Sequence, residues 1–236
     1  EKNGTFTNSE RRCSRINKAI EPVGNALADW RIISRLATAM DYPMNYAHAE
    51  EIFEEMRALT PKSYAGMTYE RLGIDGLQWP CPDTDHPGTP YLHSEQFARG
   101  KGQFHAIEYQ DPAEMPDADY PYFLTTGRVF AHYHTGTMTR LSKHLDQEAP
   151  FGYVDINPLD ARNIKVGEGD PVILSSRRGE MEVAVRLNEK LSPGSLFLPI
   201  HFGESAANLL TSSEALDPLA KIPEFKVSAV HVARAS

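Results

Sequence analysis

Pro171-Val172-Ile173-Leu174-Ser175 is followed, after Arg178-Gly179, by 181–187, Met181-Glu182-Val183-Ala184-Val185-Arg186-Leu187. The first run is apolar and β-branched and the second alternates apolar with polar, so both read as strands. Arg178-Gly179 supplies the turn between them. Working outward, Tyr122-Phe123-Leu124-Thr125, Tyr153-Val154-Asp155-Ile156, 196–200 and 227–232 carry the same signature. Asn157-Pro158 opens one short helix, Asn157 as N-cap and Pro158 at the first helical position, and Gly167-Glu168-Gly169-Asp170 turns the chain into the next strand. Short strands with one small helix predict a closed or nearly closed barrel.

Upstream the period changes. Trp30, Ile33, Ala37 and Met40, with Ile32 and Leu36, recur at helical spacing behind Asp29, an expected N-cap, and Pro43 stops the run. Ile52, Phe53, Met56 and Leu59 form the apolar face of a second helix over 49–59, expected to pack beside the first, with Glu50, Glu51, Glu54 and Glu55 in its early turns. From 64 to 103 the chain is rich in Gly and Pro and is expected to run as ordered loop. Thr5-Phe6-Thr7 is expected to return from an Asn3-Gly4 hairpin turn, which would make the chain a fragment that has lost an upstream partner strand. Pro112, Pro116 and Pro121 among acidic residues read as a linker, and the domain boundary is placed there, dividing 1–115 from 116–236.

The chain has 236 residues, 24 Lys+Arg against 32 Asp+Glu, and a formal net charge of −8. Such a balance argues against a nucleic-acid binder that neutralises phosphates over a broad basic surface. The apolar runs are too short for a transmembrane helix. Two cysteines, Cys13 and Cys81, cannot supply a four-thiolate zinc or iron–sulfur site and read as free thiols.

The densest polar segment is 125–139, which leaves a strand through Gly127 and offers Arg128, His132, His134, Thr126, Thr135 and Thr137 beside Val129. Those groups suit a phosphate or a polar heterocycle, although a surface loop whose threonines satisfy their own backbone has the same composition. His132 and His134 stand two apart, so in an extended segment both would face one side; a zinc there would still lack further ligands. His201 and Asn208 follow the 196–200 strand, and Phe225-Lys226 precedes the last, pairing an aromatic with a cation. Neither a Walker-type loop, a G-x-G-x-x-G nor a nucleophile elbow appears.

In order along the chain stand 1–8 with Glu10-Arg11-Arg12, Asp29-Trp30, Gln78-Trp79-Pro80-Cys81-Pro82, 86–93, Leu124-Thr125-Thr126-Gly127-Arg128, His132-Tyr133-His134-Thr135-Gly136-Thr137-Met138-Thr139, and Pro199 through Asn208-Leu209-Leu210-Thr211. Together these resemble the C-terminal third of the catalytic subunits of molybdenum- or tungsten-dependent formate dehydrogenases, over nearly the whole chain. The resemblance implies an α+β chain: 1–115 as the returning part of an α/β molybdopterin oxidoreductase domain, and 116–236 as a six-stranded double-psi barrel. It implies that the barrel caps a bis-molybdopterin guanine dinucleotide carrying Mo or W, contacted by Thr126, Gly127, Arg128, Val129, His132, His134, Thr135, Thr137, His201, Asn208, Phe225 and Lys226. No catalytic residue or metal ligand is expected in this chain. The iron–sulfur cluster is expected on the remaining N-terminal part of the catalytic subunit or on a partner chain.

The implied reaction is formate to carbon dioxide, two electrons and a proton. The implied partners are that N-terminal part and iron–sulfur electron-transfer subunits, without nucleic acid or membrane insertion, and the cytoplasm is the default compartment. The alternatives are the same cap in formylmethanofuran dehydrogenase or another molybdopterin oxidoreductase, and a non-catalytic nucleotide- or partner-binding barrel module.

Overall fold

The computed structural model describes residues 1–235 as two compact units, Glu1–His105 and Ala106–Ser236, the last residue of the second being outside the description. In the first unit β1 (Gly4–Thr7), β2 (Arg12–Ile16) and β3 (Leu77–Gln78) form an antiparallel sheet in that order. The helices are α1 (Asp29–Ala39), α2 (Ala49–Leu59), α3 (Pro61–Tyr64) and α4 (Tyr69–Leu72). Cys13, Phe53, Met67, Tyr69, Leu72 and Cys81 make its core, both cysteines being free thiols.

Four local expectations are corrected here. β1 pairs with the strand that follows it, and the hairpin turn lies at Asn8–Arg11, not Asn3-Gly4. The cause is the Asn8 carboxamide, which accepts from the N–H groups of Glu10 (3.1 Å) and Arg12 (3.0 Å) and closes the turn. Ala28, at ψ 139°, is the N-cap of α1, and Asp29 is its first helical residue, the Asp29 carboxylate pairing with Lys2. The 64–103 stretch contains α4 and β3, with Thr68 capping α4 by accepting from the Arg71 N–H at 3.2 Å. Finally, α2 buries Phe53 against Tyr64 and Tyr69, whereas α1 buries no residue and leaves Ile32, Ile33, Leu36 and Met40 exposed.

The second unit holds the expected barrel, closed in the order β4-β8-β5-β7-β6-β9. Its strands are β4 (Tyr122–Gly127), β5 (Tyr153–Ile156), β6 (Pro171–Ser175), β7 (Glu180–Leu187), β8 (Ser195–Pro199) and β9 (Ser228–Arg234), with α5 (Lys143–Glu148) and α6 (Pro158–Asn163) between them. Alternation does the sorting: Met181, Val183 and Val185 of β7 point inward while Glu180 and Glu182 face out. Across the β6–β7 hairpin Val172 sits opposite Val183 and Leu174 opposite Met181, joining Leu124, Val154, Ile156, Leu196, Leu198 and Val230 in one core. α6 starts as its sequence dictates, the Asn157 side chain accepting from the Leu159 N–H at 2.8 Å with Pro158 next in line.

Pairing also decides where a site can form. β4 runs parallel to β8 with Gly127 opposite Pro199, and antiparallel to β9 with Leu124 opposite Ser228. The exits of β4 and β8 and the entrance of β9 therefore share one end of the barrel. Among the described residues no helix is long and apolar enough to cross a membrane.

Candidate functional site

At that end three segments are laced together by hydrogen bonds to backbone carbonyls. The Thr126 N–H and hydroxyl both donate to the Phe225 carbonyl, at 3.3 and 2.6 Å, and Lys226 Nζ returns a bond to the Thr126 carbonyl at 2.5 Å. The Ile200 N–H donates to the Gly127 carbonyl at 3.0 Å, tying the β8 exit to the β4 exit. Gly127 lies under the Phe197 ring: a Cβ there would fall 2.5 Å from Phe197 Cε2, so a side chain would force the ring away.

The lacing leaves a cleft of ≈ 690 Å³. Arg128 and Lys226 bring two cations to its wall, Asn208 an amide and Thr135 a hydroxyl, while Phe202 and Phe225 supply aromatic surface; among the described residues no carboxylate lines it. Arg128 has no hydrogen bond or ion pair among the described residues, so its guanidinium is available to an incoming anion. The nearby Glu204 is engaged by Arg140 at 2.8 Å, a bond that holds its carboxyl below the usual range. In a chain of net charge −8 this is a local reversal of sign.

Beneath the cleft lies an aromatic knot. His132 and His201 stand 5.8 Å apart, and each meets the Phe202 ring edge-on, at 5.4 and 6.3 Å. His201 is completely buried, and burial lowers the pKa of its imidazole. Its Nε2 accepts from the Val129 N–H at 2.8 Å, and its Nδ1–H donates to the His134 carbonyl. His132 Nε2–H donates to the Ala149 carbonyl at 2.7 Å, leaving Nδ1, 3.0 Å away, to accept from the Thr139 hydroxyl. A carbonyl can only accept, which fixes each tautomer.

Of the residues singled out in the sequence, Thr126, Gly127, Arg128, Thr135, His201, Asn208, Phe225 and Lys226 line the cleft. Val129, His132, His134 and Thr137 do not. The Val129 amide is spent on His201 and the His132 ring is buried in the knot. His134 is exposed and meets the Tyr133 ring edge to face, with centroids 4.1 Å apart; Thr137, also exposed, meets Thr135 hydroxyl to hydroxyl at 3.0 Å. The idea that His132 and His134 face one side required an extended segment, and the segment turns instead, with His134 at φ 49°. Sequence reasoning missed Ile200, Phe202, Gly203, Ala206 and Ala207, which complete the lining. Their one signal is that small and apolar residues crowd the exit of a core strand.

Residues 122–229 match the family model of the molydopterin dinucleotide binding domain, and residues 1–39 match that of molybdopterin oxidoreductase. The chain is 50% identical to the F420-dependent formate dehydrogenase subunit alpha of Methanocaldococcus jannaschii, over 99% of its own length and 35% of that protein. It is 38% identical to the assimilatory nitrate reductase catalytic subunit of Bacillus subtilis, over 98% of its length and 34% of that protein. It thus spans about a third of the length of these relatives. Among solved structures, acetylene hydratase from Pelobacter acetylenicus matches with a TM-score of 0.70 at 15% identity, covering 100% of this chain and 37% of that one, a likeness of fold.

Proposed function

We propose, on the premise that residues 122–229 form a molydopterin dinucleotide binding domain, that this chain caps a bis-molybdopterin guanine dinucleotide in the catalytic unit of a formate dehydrogenase. The observation that carries the reading is the cleft at the β4, β8 and β9 ends, with Arg128 and Lys226 on its wall and, among the described residues, no carboxylate. A dinucleotide brings anionic phosphates and a hydrogen-bonding heterocycle, and the residues present fit both. Arg128 and Lys226 would hold phosphate, Thr126 would fix the strand end, and Asn208 with Thr135 would meet polar edges. Phe225 offers a ring for a base or pterin face.

The bound cofactor, with molybdenum or tungsten, would supply the two-electron chemistry that turns formate into carbon dioxide and a proton. This chain's residues bind, orient and exclude water. The iron–sulfur cluster and the residues that handle formate are assigned to the part of the catalytic unit outside this sequence, and iron–sulfur subunits are the electron-transfer partners. Formate is preferred over nitrate because identity is 50% to the formate dehydrogenase chain and 38% to the nitrate reductase chain. The cytoplasm is the compartment this reading assigns, in keeping with two buried thiols that remain unpaired.

Arg128→Ala in the native protein that carries this chain tests the assignment. GMP and metal per chain should both fall severalfold, while turnover per bound metal stays near that of the unmodified protein. Full GMP with lost turnover would contradict a binding role.

A further inference from the structure

His201 was expected to touch the cofactor, yet both of its ring nitrogens are already engaged and its side chain is sealed from solvent. The bonds it makes fall at two places along one loop. Nε2 takes the amide N–H of Val129, the peptide that joins it to Arg128, and Nδ1–H reaches the carbonyl of His134, the peptide that leads to Thr135. Arg128 and Thr135 are the two residues of this loop that line the cleft beyond Gly127. Each therefore sits next to one of the two peptide groups that a single imidazole holds.

We infer that His201 is a positioning residue that clamps the 128–135 loop over the cleft in its neutral form and releases it on protonation, making retention of the dinucleotide acid-sensitive. The inference rests on the dinucleotide reading above. Its physical basis is the identity of the partner at Nε2: an amide N–H can only donate, so a second ring proton would set donor against donor in a buried site. The charged and titratable groups around the ring offer no compensation. They are His132 and His134 in the same loop, Arg128, and, across Phe202, Arg140 with its partner Glu204.

The sign follows. Burial disfavours the imidazolium and puts the folded-state value below the ordinary 6.5. The clamp is therefore complete above that pH and is lost as pH falls from there through the folded-state value. A glutamine can copy the bonding pattern without titrating, its amide oxygen accepting from Val129 and its NH₂ donating to His134.

The experiment uses the native protein with unmodified His201, His201→Gln and His201→Ala, measuring the rate of GMP-cofactor release after dilution at neutral pH and at about pH 5. Unmodified protein should release about tenfold faster in acid, the factor that loss of one net hydrogen bond supplies. His201→Gln should release slowly at neutral pH and lose most of the acid step, and His201→Ala should release fast at both. Hydrogen exchange across the 128–135 loop, compared between unmodified and Gln proteins at the same pH, reads the clamp without the cofactor. An acid step of equal size in the Gln variant, or equal loop exchange in acid, would overturn the inference. If unmodified protein holds no GMP at neutral pH, the dinucleotide reading fails, and loop exchange alone then decides the clamp.

Discussion

Thr126 shows how a buried polar residue can organise a binding edge without facing the ligand broadly. Its N–H, hydroxyl and carbonyl are all used on Phe225 and Lys226, residues about a hundred positions away in sequence, so the two segments cannot drift apart without leaving buried groups unpaired. Gly136 does comparable work through absence of a side chain. It sits at φ 74°, where a Cβ would come 3.0 Å from the His201 carbonyl and 2.9 Å from Arg140 Cδ. Gly136→Ala should cost about 1–2 kcal/mol from the left-handed backbone alone, read as a lower urea midpoint, and should weaken GMP retention in parallel. Unchanged stability would show that the loop relaxes freely at this point. Residue chemistry in this loop was legible from composition, since Arg128 and Thr135 reach the cleft. The division of labour among its histidines was not, because the Val129–His201 bond joins positions 72 apart and leaves no local pattern.

Among the elements, the barrel strands could be read because inward and outward positions alternate, and β5 and β6 fall at the expected bounds. Short elements defined by side-chain capture escaped, the Asn8 turn and α4 behind Thr68, and so did α5, whose N-cap Ser142 makes no side-chain bond. The segment 106–121 contains no helix or strand, yet it is fastened to the β6–β7 turn. Glu114 receives Arg178 at 2.7 Å, Arg177 at 2.7 Å and the Ala229 N–H at 3.0 Å, and Arg177 also pairs with Asp117. Burial alone would raise the Glu114 carboxyl, but these donors outweigh it and hold it below the ordinary 4.5. Its contribution is therefore complete above that pH and lost as pH falls from 4.5 through the folded-state value. Glu114→Gln should loosen the tether by about 1–2 kcal/mol, seen as roughly tenfold faster proteolysis within 106–116 at neutral pH. The difference from unmodified protein should shrink in acid, and equal cleavage at neutral pH would show that the tether holds without this carboxylate.

For the whole molecule, composition and local field point in opposite directions, and both matter. The net charge of −8 argued against a broad basic surface, while the cleft concentrates Arg128 and Lys226 where no carboxylate of the described residues intrudes. The apolar face of α1 lies exposed, with Ile32, Ile33 and Leu36 unburied, and periodicity could identify the helix but could not place it. The chain spans about a third of the length of its relatives, and the proposal places the formate chemistry on the rest of that length. What the chain itself can be held to is possession of the dinucleotide. The most direct measurement is acid release and quantification of GMP from the native purified protein, with molybdenum and tungsten counted per chain in the same aliquot. The account predicts about two GMP per metal, as a bis-dinucleotide cofactor requires; well-folded protein carrying metal but no GMP would contradict it.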